Sequence, residues 1–366
     1  MDSPLVSRRH FCQTALAAAA SFPFLSVGLA DAPARKLGVA LCGLGTLSTE
    51  QLAPALQQTR YCRLAGIITG TPAKAARWKA QYDLPDHGIY NYENMEGLAD
   101  NPDIDVVYVV TPNALHAEHT IKAAKAGKHV LCEKPMEVSV AKCEQMIEAC
   151  GRAGRQLAIG YRLHFEPNTI ECVRLAREKV LGQPRMMEAG FGFAIGAPKQ
   201  WRLNRALSGG GPLMDVGIYA LQAARFVLGE EPVLVSALAS NNDPAKFRDM
   251  EESLTWQMKF PSGVLVSCNT TYEFAGLNQF KVHTDSGSFF GLELAFGYWG
   301  IYGRRSDGVE IHLPFLNQFV AEMDDFAQCI LEKRRTRVPG EEGLRDIKVM
   351  MAIYEAAQTG KAVALS

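Results

Sequence analysis

Residues 129–136 read "HVLCEKPM" and place Glu133, Lys134 and Pro135 where an apolar run ends. That lysine has two readings. It is either half of a solvated ion pair with Glu133 at a turn, or an ammonium delivered by a buried strand to a site where it carries chemistry. A second pattern lies upstream. "GVALCGLGTLS" (38–48) sets Gly43-x-Gly45-x-x-Ser48 between a strand-like and a helix-like stretch. Phosphate binding wants glycines there: the first makes the tight turn, and the second lets the backbone approach a pyrophosphate at a helix N-terminus. Ser48 stands where the third glycine of the dinucleotide fingerprint would be. A third stretch, "IITGTPAK" (67–74), follows the next strand. NAD sites usually place an acid at this point for the ribose 2′-hydroxyl. Here there is none, and Thr69, Thr71 and Lys74 offer hydroxyls and a cation that suit a 2′-phosphate, which favours NADP.

The elements around these residues alternate. "KLGVALCGLG" is a strand, "TLSTEQLAPALQQT" a helix with Pro54 tolerable in its early turns, "CRLAGIITG" a strand and "PAKAARWKAQYDL" a helix. "DIDVVYVVTP" is continuously apolar, as a parallel strand buried on both faces would be. The helix "LHAEHTIKAAKAGK", the strand "HVLCEK", the helix "SVAKCEQMIEACGRAG" and the strand "RQLAIGY" complete the series. This is the pattern of a doubly wound parallel α/β domain over 33–160. Beyond it, "NTIECVRLAREKVLG" and "PLMDVGIYALQAARFVLG" are helical. From Pro232 to about Leu313 come strand-like runs with turn signals at "PSG" and "SDG", and two more helices follow. Residues 161–366 therefore read as an α+β domain with a largely antiparallel sheet.

Hydrophobic residues are 48% of the 366, charged residues 21%, and the net charge is −1. No basic stripe points to nucleic acid. The opening residues are read apart from the fold. "SRRHFCQTALAAAASFPFLSVGLADA" has the paired Arg8 and Arg9, an apolar run broken by polar residues and Pro23, and small residues at Ala30 and Ala32. It is an export signal over 1–32, of the twin-arginine kind, with cleavage after Ala32. The nine cysteines form no C-x-x-C pair and no zinc-type spacing, so no metal site is expected and free, buried thiols are.

"CEKPM", with "VVTPNALHAEHTIKAAKAGKHV" before it and "GGGPLMDVGIYAL" after it, resembles the Gfo/Idh/MocA oxidoreductase family, and within it the glucose–fructose oxidoreductases and periplasmic aldose-oxidising enzymes. The likeness runs through the mature chain, including "YRLHFEPN", "QWRLNRALSGGG" and "WQMKF". It implies that Lys134 is catalytic, in a lysine–proline bond that is typically cis. It implies that Asp215 and Tyr219 are an acid and a proton-transfer residue, where many members have histidine in place of the tyrosine. Their i, i+4 spacing would put both on one helix face. It carries over cofactor contacts at Gly43, Gly45, Thr46, Ser48, Thr69, Lys74, Tyr92, Pro112, Asn113, His116, Glu133, Lys134, Arg162, Trp201, Arg202 and Tyr298. Without it, Lys134 could be a surface ion pair, Tyr219 a core tyrosine, Asp215 a helix cap and Arg202 a surface charge.

The chemistry implied is oxidation of an aldose at C1 to an aldonolactone. A base must reach the hydroxyl proton while the nicotinamide takes the hydride. Free tyrosine, with a pKa of about 10, is a poor base, and a neighbouring ammonium favours its phenolate. Tyr219 is thus expected to take the proton, Lys134 to tune it and Asp215 to fix the sugar. Export in the folded state to the periplasm implies tightly bound NADP(H) recycled by reducing a second sugar to an alditol. The glucose–fructose enzymes carry a long proline-rich arm after their signal; here Pro33 to about Lys36 stand in its place. A homodimer is therefore expected over a tetramer. Two alternatives stay open from sequence, a redox-neutral NAD-dependent glycosidase and a non-catalytic dinucleotide sensor.

Overall fold

Strand β1 (Leu37–Cys42) is buried along its whole length, as a parallel strand covered on both faces must be. It pairs in parallel with β2 (Cys62–Ile68) and β4 (Val106–Val109). The computed structural model describes residues 35–196 and 199–365, so the export signal expected over 1–32 lies outside the described residues. With β3 (Ile89–Tyr90), β5 (His129–Cys132) and β6 (Leu157–Ile159), these strands form, among the described residues, a six-stranded sheet in the order 3-2-1-4-5-6. The order reverses between β1 and β4. The crevice above their carboxyl ends is where such sheets bind ligands.

The helix expected over 46–59 is shorter and differently wound. A π turn, Ser48–Leu52, closed by the Ala53 N–H on the Ser48 carbonyl, leads into α1 (Ala53–Leu56). Pro54 has no N–H to give residue 50, and the wider turn accommodates that. The helices α2 (Pro72–Tyr82), α3 (His116–Lys125) and α4 (Val140–Arg152) follow the sequence pattern closely. Ser139 caps α4 by accepting from the Lys142 N–H.

The second sheet has nine strands among the described residues, in the order β14-β13-β12-β11-β7-β10-β9-β8-β15. It comprises β7 (Pro184–Gly192), β8 (Leu234–Ser240), β9 (Ser253–Lys259), β10 (Leu265–Thr271), β11 (Asn278–Thr284), β12 (Phe289–Glu293), β13 (Tyr302–Arg305), β14 (Glu310–Ile311) and β15 (Val363–Ala364). It is largely antiparallel as expected, but β7 runs parallel to β10. The central strand β7, the strand β13 and the short C-terminal β15 were not anticipated. The run "QFKVHTDSGSFFGLEL" divides into β11 and β12 around Gly287 (φ +80°).

Following α5 (Pro167–Arg177), α6 (Ile218–Leu228) packs on β7. From the C-terminal third, α7 (Gln318–Leu331) packs on α1 and β2, and α8 (Gly340–Thr359) lies against both α4 and β8. Burying side chains such as Trp256, Phe280 and Phe290 under these helices contributes about 1.5–3 kcal/mol each. The opposite sheet face leaves Leu238, Leu265 and Met186 exposed. The cysteines from Cys42 to Cys329 are buried thiols. Among the described residues, no helix is long and apolar enough to cross a membrane and no cluster of three or more acidic, histidine or cysteine side chains could hold a metal.

Candidate active site

The glycine loop leaves the end of β1 with Gly43 at φ +100°, and a Cβ there would meet the Val110 carbonyl oxygen at 2.8 Å. At Gly45 a Cβ would meet nothing within 4 Å, so this backbone borders open space. The Thr49 N–H donates to the Gly45 carbonyl at 3.0 Å; the amides just before Thr49 are those a helix start leaves for an anion. Ser48 is buried and donates its hydroxyl to the Gly43 carbonyl at 2.6 Å. It thus closes the loop from behind instead of facing a ligand. Lys74 donates to the Leu44 carbonyl at 3.0 Å, and the Thr69 hydroxyl accepts from the Thr71 N–H. Of the groups expected at a 2′-phosphate, Lys74 thus reaches the loop itself, and Thr69 and Thr71 are linked to each other at the end of β2. Tyr92 stacks on His119, 4.7 Å between centroids, and burial pushes its phenol up to about 12.

Strand β5 carries the "EKP" turn to the same crevice, and the Lys134–Pro135 bond is cis. His116 braces the turn: its ring nitrogens lie 2.9 Å from the Pro135 carbonyl and 2.8 Å from that of Thr111, and burial holds its pKa below the ordinary value. Asn113 donates to the Ser208 carbonyl at 2.8 Å, tying the turn after β4 to the second part of the chain. The exposed ion pair offered by sequence for Glu133 and Lys134 is not formed. Glu133 is buried and accepts from the Tyr108 hydroxyl at 2.8 Å and the Lys134 N–H at 3.2 Å. The Lys134 ammonium instead crosses to the second part of the chain. It donates to the Asp215 carbonyl at 2.8 Å and lies 3.9 Å from Asp215 Oδ1.

The helix expected over 212–229 opens with a π turn, Leu213–Gly217, in which the Ile218 N–H donates to the Leu213 carbonyl. Asp215 lies in that turn and Tyr219 in the first turn of α6. The widened turn still directs both into one cavity. The Lys134 ammonium stands 4.6 Å from the centroid of the Tyr219 ring, and the Arg162 guanidinium 4.9 Å from it. The ammonium expected to neighbour Tyr219 stands over its ring, where cation and π-system attract. Arg162 also lies 4.7 Å from the Tyr298 ring and donates to the carbonyls of Phe296 (2.7 Å) and Gly297 (2.9 Å), so it builds the wall.

Asp215 Oδ2 accepts from Arg202 Nε at 2.8 Å and from the Tyr272 hydroxyl at 3.0 Å. Burial by itself would raise this carboxyl. The Arg202 guanidinium, the Lys134 ammonium and the two hydrogen bonds outweigh it and hold the pKa below the ordinary value, so the group is a carboxylate. Arg202 also lies over the Trp201 ring, 4.6 Å away.

These groups line a cavity of about 620 Å³ that runs from Gly45 and Thr46 to Asp215 and Tyr219. Asn113, His116, Glu133, Lys134, Arg162, Trp201, Arg202 and Tyr298 line it too. Gly43, Ser48, Thr69, Lys74, Tyr92 and Pro112 lie outside that lining. Sequence reasoning missed Tyr272 and the aromatic wall of Phe191, Phe193, Phe296 and Phe319. They sit at or beyond strand ends, in a loop and, for Phe319, in the first turn of α7, with no motif to mark them.

Behind the cavity, the Tyr108 hydroxyl lies between Glu133 (2.8 Å) and Glu322 Oε2 (3.4 Å), and Glu322 Oε1 has no hydrogen-bond partner among the described residues. Burial first, and the Glu133 charge second, push the Glu322 carboxyl well above its ordinary value. The native state then keeps a proton that the unfolded chain gives up above about pH 4.5, so this group costs stability as pH rises past that point. Glu322→Gln keeps an oxygen that can accept from the Tyr108 hydroxyl and has no proton to lose. It is expected to be more stable than the parent at pH 8, by about 1–2 kcal/mol, with the gap closing towards pH 4.5. Melting curves across that range check it; a constant gap refutes the assignment.

Three comparisons bear on this geometry. The model of the "Oxidoreductase family, NAD-binding Rossmann fold" matches residues 37–161, and that of the "GFO/IDH/MocA C-terminal domain" matches residues 170–290. The chain is 33% identical over 335 residues to D-xylose 1-dehydrogenase [NADP(+)] of Haloarcula marismortui, covering 89% of this chain and 92% of that one. It is 28% identical to 1,5-anhydro-D-fructose reductase of Ensifer adhaerens, over 88% and 96% of the two. The crystal structure of aldose-aldose oxidoreductase from Caulobacter crescentus, complexed with glycerol, superposes with a TM-score of 0.87 at 44% identity, over 90% of this chain and 100% of that one. With a glycine loop, a cis "EKP" turn and a second sheet that brings Asp215 and Tyr219 to it, the chain belongs to the GFO/IDH/MocA family of oxidoreductases.

Proposed function

We propose that the protein is an NADP-dependent sugar oxidoreductase that oxidises an aldose at C1 to an aldonolactone and recycles bound NADP(H) by reducing a second sugar to an alditol. The observation that carries this is the reach of Lys134 from the dinucleotide half to the Asp215 carbonyl and the Tyr219 ring, within the cavity that starts at Gly45. The similarity to an aldose-aldose oxidoreductase and an NADP-dependent xylose dehydrogenase supports the substrate class.

The residues fit the cofactor. The open space at Gly45 accepts a pyrophosphate against backbone, and Thr69 with Lys74, at the end of β2 where no acid stands, would hold a 2′-phosphate. When bound, NADP supplies the hydride acceptor. The chain's own part is proton handling and orientation. Tyr219 takes the proton of the C1 hydroxyl as the C–H bond breaks. Lys134, over its ring, favours the charge that Tyr219 then carries. Asp215 holds a neighbouring hydroxyl, and the aromatic wall excludes water. In the second half-reaction Tyr219 returns the proton to the carbonyl oxygen of the second sugar, so the cycle is balanced without a net proton.

Export through the twin-arginine pathway to the periplasm, with NADP already bound, would make such recycling necessary, because the cycle then needs no soluble dinucleotide. The exposed sheet face with Leu238, Leu265 and Met186 supports pairing of two copies as a homodimer. The test is to purify the protein without added cofactor and follow the reduced-nicotinamide band at roughly 340 nm as single aldoses are added. The band should rise with a donor sugar and fall with an acceptor. Protein that contains no dinucleotide and turns over only with added NADP excludes the recycling scheme.

A further inference from the structure

Asp215 presents its two carboxylate oxygens to different surroundings. Oδ2 is saturated by Arg202 Nε at 2.8 Å and the Tyr272 hydroxyl at 3.0 Å. Oδ1 accepts no hydrogen bond among the described residues. The Lys134 ammonium, 3.9 Å away, is beyond hydrogen-bond distance and spends its bond on the Asp215 main-chain carbonyl. Asp215 lines the cavity, so an acceptor is left open there beside the reacting groups.

Tyr272 is fixed for its part in this. It follows the last residue of β10, and its backbone is held at both ends, its N–H on the Glu252 carbonyl (2.9 Å) and its carbonyl on the Ile195 N–H (2.8 Å). The side chain is 1% exposed and packs in a small core with Ile195, Val216, Phe247 and Met250. Phe193 meets its ring edge-on at 5.3 Å. A buried phenol that stays neutral donates to the carboxylate and does nothing else there; burial, and then the Asp215 charge, push its pKa well above the ordinary value. A carboxylate free to rotate would exchange its oxygens. Two donors on one oxygen stop the exchange and fix the direction of the other.

We propose that Tyr272 is a positioning residue of the sugar site: with Arg202 it takes up one oxygen of Asp215 and so turns the other into a fixed acceptor for a single substrate hydroxyl next to the reacting carbon. This rests on the sugar-oxidising reading above. It assigns Asp215 to recognition of a hydroxyl donor, with the proton transfer left to Tyr219. A substrate with a hydroxyl at that position fits, and one with a hydrogen or a methyl ether there leaves a desolvated carboxylate unpaired.

The test uses the full-length holoprotein, Tyr272→Phe and a panel of one good aldose and its monodeoxy analogues. Tyr272→Phe should raise KM for the parent sugar about tenfold with kcat changed much less. One monodeoxy analogue, a poor substrate of the parent protein, should show the same KM with and without the Tyr272 hydroxyl, while the other analogues show the full tenfold loss. Met250→Leu, which disturbs the same small core and keeps the hydroxyl, should leave the pattern unchanged, and it serves as the packing control where Tyr272→Phe melts early. Equal losses on every analogue, or no loss on the parent sugar, overturn the assignment while leaving the sugar oxidoreductase standing. A parent protein that turns over no sugar overturns the functional reading, and this inference with it.

Discussion

Lys134→Met is expected to lower kcat for aldose oxidation about a thousandfold while NADP affinity stays within a few-fold. Methionine keeps the length and apolar character of the stem and removes the charge. The ammonium donates to the Asp215 carbonyl, stands over the Tyr219 ring and faces Asp215 Oδ1. All three contacts are with the two residues proposed to handle the sugar and its proton. The groups proposed to hold the dinucleotide are others, Gly45 at the far end of the cavity and Thr69 with Lys74 outside its lining. Asp215 keeps Arg202 and Tyr272, so the fold should lose no more than about 1 kcal/mol. Tyr219→Phe should cost a comparable factor, and the double variant little more than either single change, because residues that act on one proton are not additive. Stopped-flow reduction of bound cofactor reads the step directly. A Lys134→Met protein that still reduces its cofactor within tenfold of the parent rate refutes the role given to the ammonium.

The second large effect contrasts two glycines. Gly38 sits in β1, where a Cβ would land on the Asp103 carbonyl oxygen and crowd Ala65. The same residue is held from both sides by Asp105, whose carboxylate accepts from the Gly38 N–H and whose own N–H donates to the Gly38 carbonyl, each at 2.8 Å. Backbone on backbone cannot yield cheaply. Gly38→Ala is therefore expected to cost about 3 kcal/mol or more, seen as lost soluble yield or a much lower Tm. Gly45→Ala meets nothing within 4 Å and should melt with the parent. Its methyl group instead enters the space proposed for the pyrophosphate, and NADP affinity should fall at least tenfold. Equal melting of the two variants, or undiminished NADP binding by Gly45→Ala, contradicts the account of the loop.

Much of this was legible in the sequence where local pattern and chemistry agree. The apolar run of β4, the glycines after β1 and the "EKP" end of β5 each carry their function in a few adjacent residues. The pairing of Asp215 with Tyr219 was legible by resemblance and spacing, although the π turn that holds Asp215 was not. A single extra residue per turn leaves no trace in composition. Strand β7 was missed because Arg185 and Met186 are both exposed and break the alternation that marks a half-buried strand. Tyr272 was missed for another reason. Its meaning depends on a partner 57 positions away, and one tyrosine after a strand carries no signal of that.

The parallel pairing of β7 with β10 also bears on the order in which the molecule is made. Strand β7 lies between β10 and β11 in the sheet, and both are later in the chain. The sheet that supports α6 therefore cannot close until the stretch beyond Leu265 arrives and its loop-closure entropy has been met. In the six-stranded sheet every pairing but that of β1 with β4 joins strands consecutive in sequence. Contacts at long sequence separation are the slow ones. The dinucleotide half thus has the means to become native first, and the cavity between Lys134 and the π turn before α6 is complete only when the later sheet has closed.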